Sequence, residues 1–319
     1  MLENIKQTIT RWDERNPWTN VYGLARSIIA LSSLLTLLIN HPSLIMKPAS
    51  GISSYPACKM NLSLFCLGEN NYMMLNLFRW VCIAILVLVV IGWRPRITGV
   101  LHWYVSYSLQ SSLIVIDGGE QAAAVIDGGE QAAAVMTFLL LPITLTDPRK
   151  WHWSTRPIEG KRTLGKITAF ISYSVIRIQV AVLYFHSTVA KLSQQEWVDG
   201  TAVYYFAQEK TIGFNGFFQA LTKPMVTSPF VVIPTWGTLL VQIVIFAALF
   251  APKKHWRLIL IIAVFMHEIF AIMLGLISFS IIMAGILILY LTPIDSTIQF
   301  TYIRRLLWNK KHKKGEVSV

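Results

Sequence analysis

The chain has 319 residues, 54% of them hydrophobic and only 14% charged, with a mean hydropathy of +0.54. Soluble domains are about 45–50% apolar and about 25% charged, so this composition excludes an ordinary soluble protein and indicates a polytopic membrane protein. The formal net charge of +12 would suit nucleic acid, but its distribution follows alternate loops of a membrane protein and excludes that partner.

Residues 1–18 are polar with spaced apolar positions, which predicts a cytoplasmic interfacial segment rather than the apolar core of a signal peptide. Asn16-Pro17-Trp18 reads as a turn and an interface anchor. Eight apolar stretches follow, at 19–40, 74–92, 97–115, 125–146, 165–190, 230–250, 256–274 and 277–292. Each is near the length of roughly 17–25 residues that a helix needs to cross a bilayer. The expected fold is an all-α, polytopic integral membrane helical bundle of about eight transmembrane helices. Residues 19–292 form the transmembrane domain and 293–319 a basic cytoplasmic tail. The last two spans are divided only by a tight turn at Gly275. Without it, the run from Trp256 to Leu291 is too long for one crossing.

Lys and Arg set the orientation. Twenty fall in the N-terminal segment, alternate loops and the tail, from Lys6, Arg11 and Arg15 through Arg94, Arg96, Arg149 and Lys253 to Lys314. The opposite loops hold five: Lys47, Lys59, Lys191, Lys210 and Lys223. Positive charge is retained on the cytoplasmic side, so both termini are expected there, in a multi-pass protein of the cell membrane. The long loops 41–73 and 191–229 then face outward. Cys58 and Cys66 lie in the first, and outside the cytoplasm such a pair tends to oxidise to a structural disulfide. A redox-active pair and two free thiols are the alternatives. Cys82 reads as a small buried apolar residue. Trp18, Trp93, Trp151, Trp153 and Trp256 stand near span ends, as interface anchors do.

Residues 115–124, Val-Ile-Asp-Gly-Gly-Glu-Gln-Ala-Ala-Ala, recur unchanged at 125–134. The period is too short for a solenoid and indicates a tandem duplication. If helical, ten extra residues would add about 15 Å. Either Asp127 and Glu130 enter a polar cavity, or both copies bulge outward at their Gly-Gly pairs and span four starts near Gln131. The second fits better, because an isolated carboxylate in lipid is expensive.

Span five carries Arg177, Gln179, His186 and Lys191 along an apolar helix that runs into Trp197-Val198-Asp199-Gly200. Ionisable groups at membrane depth need a partner or a task. Lys191, at the outer end, is either a desolvated amine able to act as a base or a lysine snorkelling to the headgroups. Asp117 and Glu120 could bring carboxylates toward it and complete a catalytic set, or they could cap a glycine turn. Arg177 calls for an acidic side chain or backbone carbonyls, and His186 for a hydrogen bond from a neighbouring helix. In span seven, His267-Glu268 suits proton transfer, although adjacent helical residues diverge by about 100°. No His/Cys cluster has zinc spacing, so no metal site is expected.

Together Asn16-Pro17-Trp18, the two-cysteine loop, Val90-Ile91-Gly92-Trp93-Arg94-Pro95-Arg96, the Ile-Asp-Gly-Gly-Glu-Gln element, Leu141-Pro142-Ile143-Thr144-Leu145-Thr146-Asp147, Glu196 through Tyr205 and His267 resemble the HTTM group. This is the membrane domain related to vitamin K-dependent γ-carboxylase, and within it the chain is similar to the membrane proteins of sporulation-delaying toxin operons. Arg177-x-Gln179, Tyr184-Phe185, Lys191-Leu192 and Trp197-x-x-Gly200 resemble the segment around the carboxylase's catalytic lysine. The resemblance implies maturation of a secreted peptide toxin after secretion. The implied partners are the toxin precursor and a small protein of the same operon. By carboxylase analogy Lys191 would be the base, with a quinone as a possible cofactor. A quinone-linked oxidoreductase or carboxylase and a non-catalytic immunity protein or transporter are the rival functions. A transporter should show inverted repeats and helices broken at midplane, and neither is found.

Overall fold

The computed structural model describes residues 10, 12, 14–46, 56, 58, 62–69, 71–112, 128–156, 158, 160, 162–208 and 216–299. Eight long helices carry the described fold: α1 (Asn20–Ile39), α2 (Tyr72–Val90), α3 (Pro95–Ser112), α4 (Gly129–Thr146), α5 (Thr163–Leu192), α6 (Val232–Ala247), α7 (Trp256–Leu274) and α8 (Ile277–Leu291). Local chemistry sets several of their ends. Asn71 accepts the Met74 N–H at 2.9 Å and starts α2, and Pro95 opens α3 where its missing N–H is harmless. Gly275, at φ +74°, ends α7 in the left-handed conformation and turns the chain into α8. The division expected there is present.

The protein is a polytopic helical membrane protein. Six helical segments are long and apolar enough to cross a bilayer: Asn20–Ile39, Tyr72–Val90, Gly129–Thr146, Thr163–Leu192, Pro229–Ala247 and Lys253–Leu274. On α7 the exposed residues Leu258, Ile261, Ile262, Phe265, Ile269 and Ile272 recur at helical spacing, an apolar stripe suited to lipid. The other two expected spans fall short of that measure for different reasons. α3 lowers its hydropathy by burying Thr98, His102, Ser106, Ser108 and Ser112, while Ile97 and Val100 remain exposed. α8 has only 15 residues, nine of them buried, and lies inside the bundle rather than around it. Its Gly285 lets α1 approach: a Cβ there would come within 2.9 Å of the Ala25 carbonyl.

Two apolar cores share α1. One joins it to α4, α5, α7 and α8 through Ile29, Met136, Ile176, Ala263 and Ile286; the other joins it to α2 and α3 through Leu37, Leu86 and Val105. A polar hub closes one end of the bundle. Trp93 pairs with Trp151 in a β-bridge, and Arg149 holds Asp147 at 2.7 Å while donating to the carbonyls of His152 (2.8 Å) and Ser154 (3.0 Å). Burial, with Arg26 and Arg149 nearby, pushes the His152 imidazole down to about 2, so it packs as a neutral ring against Gly23 and Gly92. Trp18 belongs to the core rather than to the interface: it is 1% exposed and donates from Nε1 to the Ile143 carbonyl at 3.2 Å. Trp256 is likewise buried, beneath the Arg177 guanidinium at 4.6 Å.

At the other end, Cys58 and Cys66 are joined by a disulfide with a Cα–Cα distance of 5.3 Å, and Cys82 is a buried free thiol. Of the duplicated element, 115–127 lies outside the described residues, and with it Asp117, Glu120 and Asp127. The end of the second copy does not bulge outward. It forms the first turns of α4, from Gly129, which packs on Phe279 of α8, and half-buried Glu130 accepts from Ser33 of α1 at 3.2 Å. A hydrogen bond from a buried serine makes that carboxylate tolerable inside the bundle.

Candidate functional site

α5, α6, α7 and α8 enclose a cavity of about 560 Å³, covered by the Trp197 turn and the short helices Ala202–Gln208 and Gly216–Val226. The volume is that of a small-molecule or side-chain pocket, for which roughly 300–1,000 Å³ is usual. Its walls are apolar and soft, with Met225, Phe265, Met266, Phe270, Met273 and Phe279 among them, and no acidic residue among the described residues lines it.

The polar groups are few and come mostly from one face of α5. Tyr184, Ser187, Thr188 and Lys191 are spaced so that helical geometry stacks them on one side. Lys191 is 3% exposed; its Nζ donates to Ser187 Oγ at 2.7 Å and lies 5.4 Å from the centre of the Trp197 ring. Two turns deeper, the Tyr184 hydroxyl and His267 Nε2 are 2.8 Å apart, and both residues are buried. His267 Nδ1 is buried without a hydrogen-bond partner among the described residues, its ring held edge-on by Phe270 and Phe279. Thr188 donates to Gln242 Oε1 at 3.4 Å, tying α5 to α6 beside the cavity. The arrangement offers an amine that no carboxylate among the described residues neutralises and, farther in, a Tyr–His pair across which a proton can move. An apolar chain or ring could lie between them.

The Trp197 turn forms the lid over Lys191. Its carbonyl accepts from Trp236 Nε1 at 3.2 Å, and its ring packs on Phe206. The chain reverses at Gly200, where φ is +78° and a Cβ would collide with Val232. Gly200→Val therefore meets both a left-handed backbone and a filled space, a combined cost of about 2–5 kcal/mol. We expect this variant to melt several degrees lower in detergent and to accumulate poorly. An unchanged melting temperature would show that the turn is not closed on α6.

Lys191, Trp197, Gly200 and His267 are thus brought together. Arg177 and Gln179 are not: they lie about 21 and 18 Å from Lys191 along α5. Arg177 donates to the Thr292 carbonyl at 3.0 Å and covers Trp256, at the far end of the bundle. Gln179 is half-buried between the two ends. His186 is exposed on the outer face of α5 instead of bonded in the core. His267 and Glu268 have separate partners, since Glu268 accepts from Ser280 of α8 at 2.9 Å while His267 meets Tyr184. Of Tyr184, Ser187 and Gln242, the sequence marks only Tyr184, through the Tyr184-Phe185 resemblance. The first two stand seven and four residues before Lys191, a spacing that would have placed them on its face. Among the described residues, no group of His, Cys, Asp and Glu could hold a metal ion. A second concavity, of about 880 Å³, opens at the hub between Arg149, Lys150, Trp153, Arg156 and Arg162, and includes none of these groups.

Comparison with known proteins finds two relatives in Bacillus subtilis (strain 168). The chain is 96% identical to "Uncharacterized protein YitO" over 319 residues, the whole of both chains. It is 34% identical to "Sporulation-delaying protein SdpB" over 296 residues, covering 91% of this chain and 86% of that one. No protein-family model matches, and no solved structure does.

Proposed function

The chain belongs to the family of sporulation-delaying protein SdpB, and from that premise we propose that it is a membrane factor for the maturation of a secreted peptide toxin. The supporting observation is the likeness to SdpB along 91% of the chain, which takes in the Lys191 cavity and its Trp197 lid. The protein works in the cell membrane with both termini in the cytoplasm, as its alternating positive charge requires. The Lys191 end then faces outward, where it acts on, or presents, the toxin precursor together with a small partner protein. Apolar cavity walls suit a hydrophobic stretch of that precursor, and the Lys191 amine suits a carbonyl or carboxylate on it. Mass spectrometry of peptides secreted by cells with and without this protein tests the proposal. A mature peptide should disappear, or change mass, in its absence. Identical secreted peptides in both cultures would overturn it.

The cavity also favours a second function, that of a quinone-linked oxidoreductase or carboxylase. A ring of quinone size fits about 560 Å³ of apolar space, with Lys191 and the Tyr184–His267 pair as the groups that would hold or move a proton beside it. A quinone would supply two-electron redox chemistry there. Solvent extraction of the purified protein separates the two: a stoichiometric quinone in the extract supports the second function, and its absence the first.

A further inference from the structure

The Lys191 cavity reaches the outside of the bundle between α6 and α7. On α6 it is lined by Pro234, Gly237 and Val241, and on α7 by Ile262, Phe265 and Ile269. Those three α7 residues also stand on the exposed apolar stripe of their helix, and Phe265 is 65% exposed. The same side chains therefore form a cavity wall and a surface that meets lipid. On α6, Trp236 and Leu240 are exposed close to Gly237, and a Cβ built at Gly237 would meet nothing within 4 Å. The space beside this glycine is open. α6 and α7 are consecutive spans with a short connection, so they run antiparallel. Gly237 and Ile269 each lie five residues, about 7 Å, from the helix end on the Lys191 side. That depth falls within half of a hydrocarbon core of about 30 Å. On the same side, the short helix Gly216–Val226 exposes Phe217, Leu221 and Met225 at helical spacing, as a helix lying in the membrane interface does. The opening thus faces acyl chains.

Inside the opening, charge narrows what can be held. Lys191 donates to Ser187 and is in no ion pair among the described residues. An ammonium has further N–H groups to give, and Ser187, which accepts from it, keeps its own hydroxyl proton to donate. A cation buried in a membrane protein without a counter-charge is costly. Water would solvate the amine but leave its charge unpaired. A carboxylate does both, with one oxygen on Lys191 and the other on Ser187. The rest of the ligand must be slim and apolar. Met225, Met266 and Met273 are flexible wall residues that follow an unbranched chain, and about 560 Å³ holds little more than one turn of a helix about 10–12 Å wide. We propose that α6 and α7 frame a side entrance through which the cavity takes a long-chain carboxylate of fatty-acid type from the lipid leaflet on the Lys191 side. Its head rests on Lys191 and Ser187, and its tail runs out past Gly237 and Phe265. This ligand goes beyond the toxin-maturation reading and is tested without the toxin precursor.

A palmitate carrying a photoreactive diazirine in its chain is the probe. The full chain in phosphatidylcholine nanodiscs is irradiated with it, and adducts are mapped by mass spectrometry of the digested protein. Adducts should concentrate on α6 and α7 around Gly237 and Phe265, and excess unlabelled palmitate should compete them away. The methyl ester of the probe keeps the chain but not the charge, and should label about tenfold less. Lys191→Met should lower labelling by the acid to a similar degree, about tenfold, whereas Lys191→Arg should retain it. Gly237→Trp should close the entrance and remove the adducts, while Leu240→Trp, on the lipid side of the same helix, should not. If Gly237→Trp does not accumulate, the smaller Gly237→Leu takes its place and should reduce labelling. Equal labelling by acid and ester, or by the unaltered chain and Lys191→Met, would overturn the carboxylate site and leave ordinary lipid contact. Competition by phosphatidylglycerol but not by palmitate would also overturn it, by assigning the head to a phosphate. Labelling unchanged by substitution of Gly237 would overturn the entrance.

Discussion

Asp147→Ala should remove most of the folded protein from the membrane. The Asp147 side chain is fully buried and that of Arg149 is 5% exposed. The pair is bidentate, with Arg149 Nη2 2.7 Å from Oδ2 and Nε 2.9 Å from Oδ1. Arg149 also donates to the carbonyls of His152 and Ser154, so the pair orders the whole turn after α4. Breaking a buried pair by deleting one partner costs about 3–5 kcal/mol, because the other charge remains without compensation. That is a large fraction of a marginal stability of about 5–15 kcal/mol. Membrane abundance and the melting temperature in detergent read the effect. Asp147→Asn, which keeps an acceptor but not the charge, should fall between the two. The double variant Asp147→Leu, Arg149→Met removes both charges and should be less damaged than Asp147→Ala alone. A double variant worse than the sum of its parts would mean that the hydrogen bonds to His152 and Ser154, not the charge balance, hold the turn. Full stability of Asp147→Ala would mean that the pair is not formed.

This hub shows where sequence reading stops. Helix positions were legible because apolar run length is a local property, and even the weakest boundary, at Gly275, is carried by one residue able to take φ +74°. Asp147 and Arg149 were legible only as a motif and a loop cation, because their burial depends on α1 and on the turn at 152–154. Trp18 looked like an interface anchor because it follows Asn16-Pro17; its actual partner, the Ile143 carbonyl, lies 125 residues away. His186 is the instructive error. It is about 500° around the helix from Lys191, and that angle already put it on another face. The helical period, not the residue type, sets its exposure. Within the cavity, Lys191, Trp197 and His267 could be named individually. Their convergence, with Tyr184 and Gln242 added, is a tertiary fact. The Asp-Gly-Gly-Glu carboxylates Asp117 and Glu120 lie outside the described residues.

Lys191→Ala should stop appearance of the mature peptide while leaving the protein in the membrane, the opposite pattern to Asp147→Ala. The physical difference is the partner left behind. Lys191 donates to a serine hydroxyl and sits over an indole, so its removal strands no buried charge. Losing the ring contact costs at most about 2 kcal/mol, whereas losing a general base costs about 10²–10⁴ in rate. The ratio of mature to precursor peptide, normalised to membrane abundance, should therefore fall by at least about one hundredfold if the amine takes a proton. Lys191→Arg separates the remaining roles. It preserves positive charge beneath Trp197 but offers no neutral form, because arginine does not deprotonate in proteins. Loss of activity at normal abundance would support proton abstraction by Lys191. Retained activity would exclude a base and assign the residue to holding a carboxylate or carbonyl of the precursor. Normal maturation in Lys191→Ala itself would remove Lys191 from the function altogether and leave the Tyr184–His267 pair as the chemistry-bearing groups of the cavity.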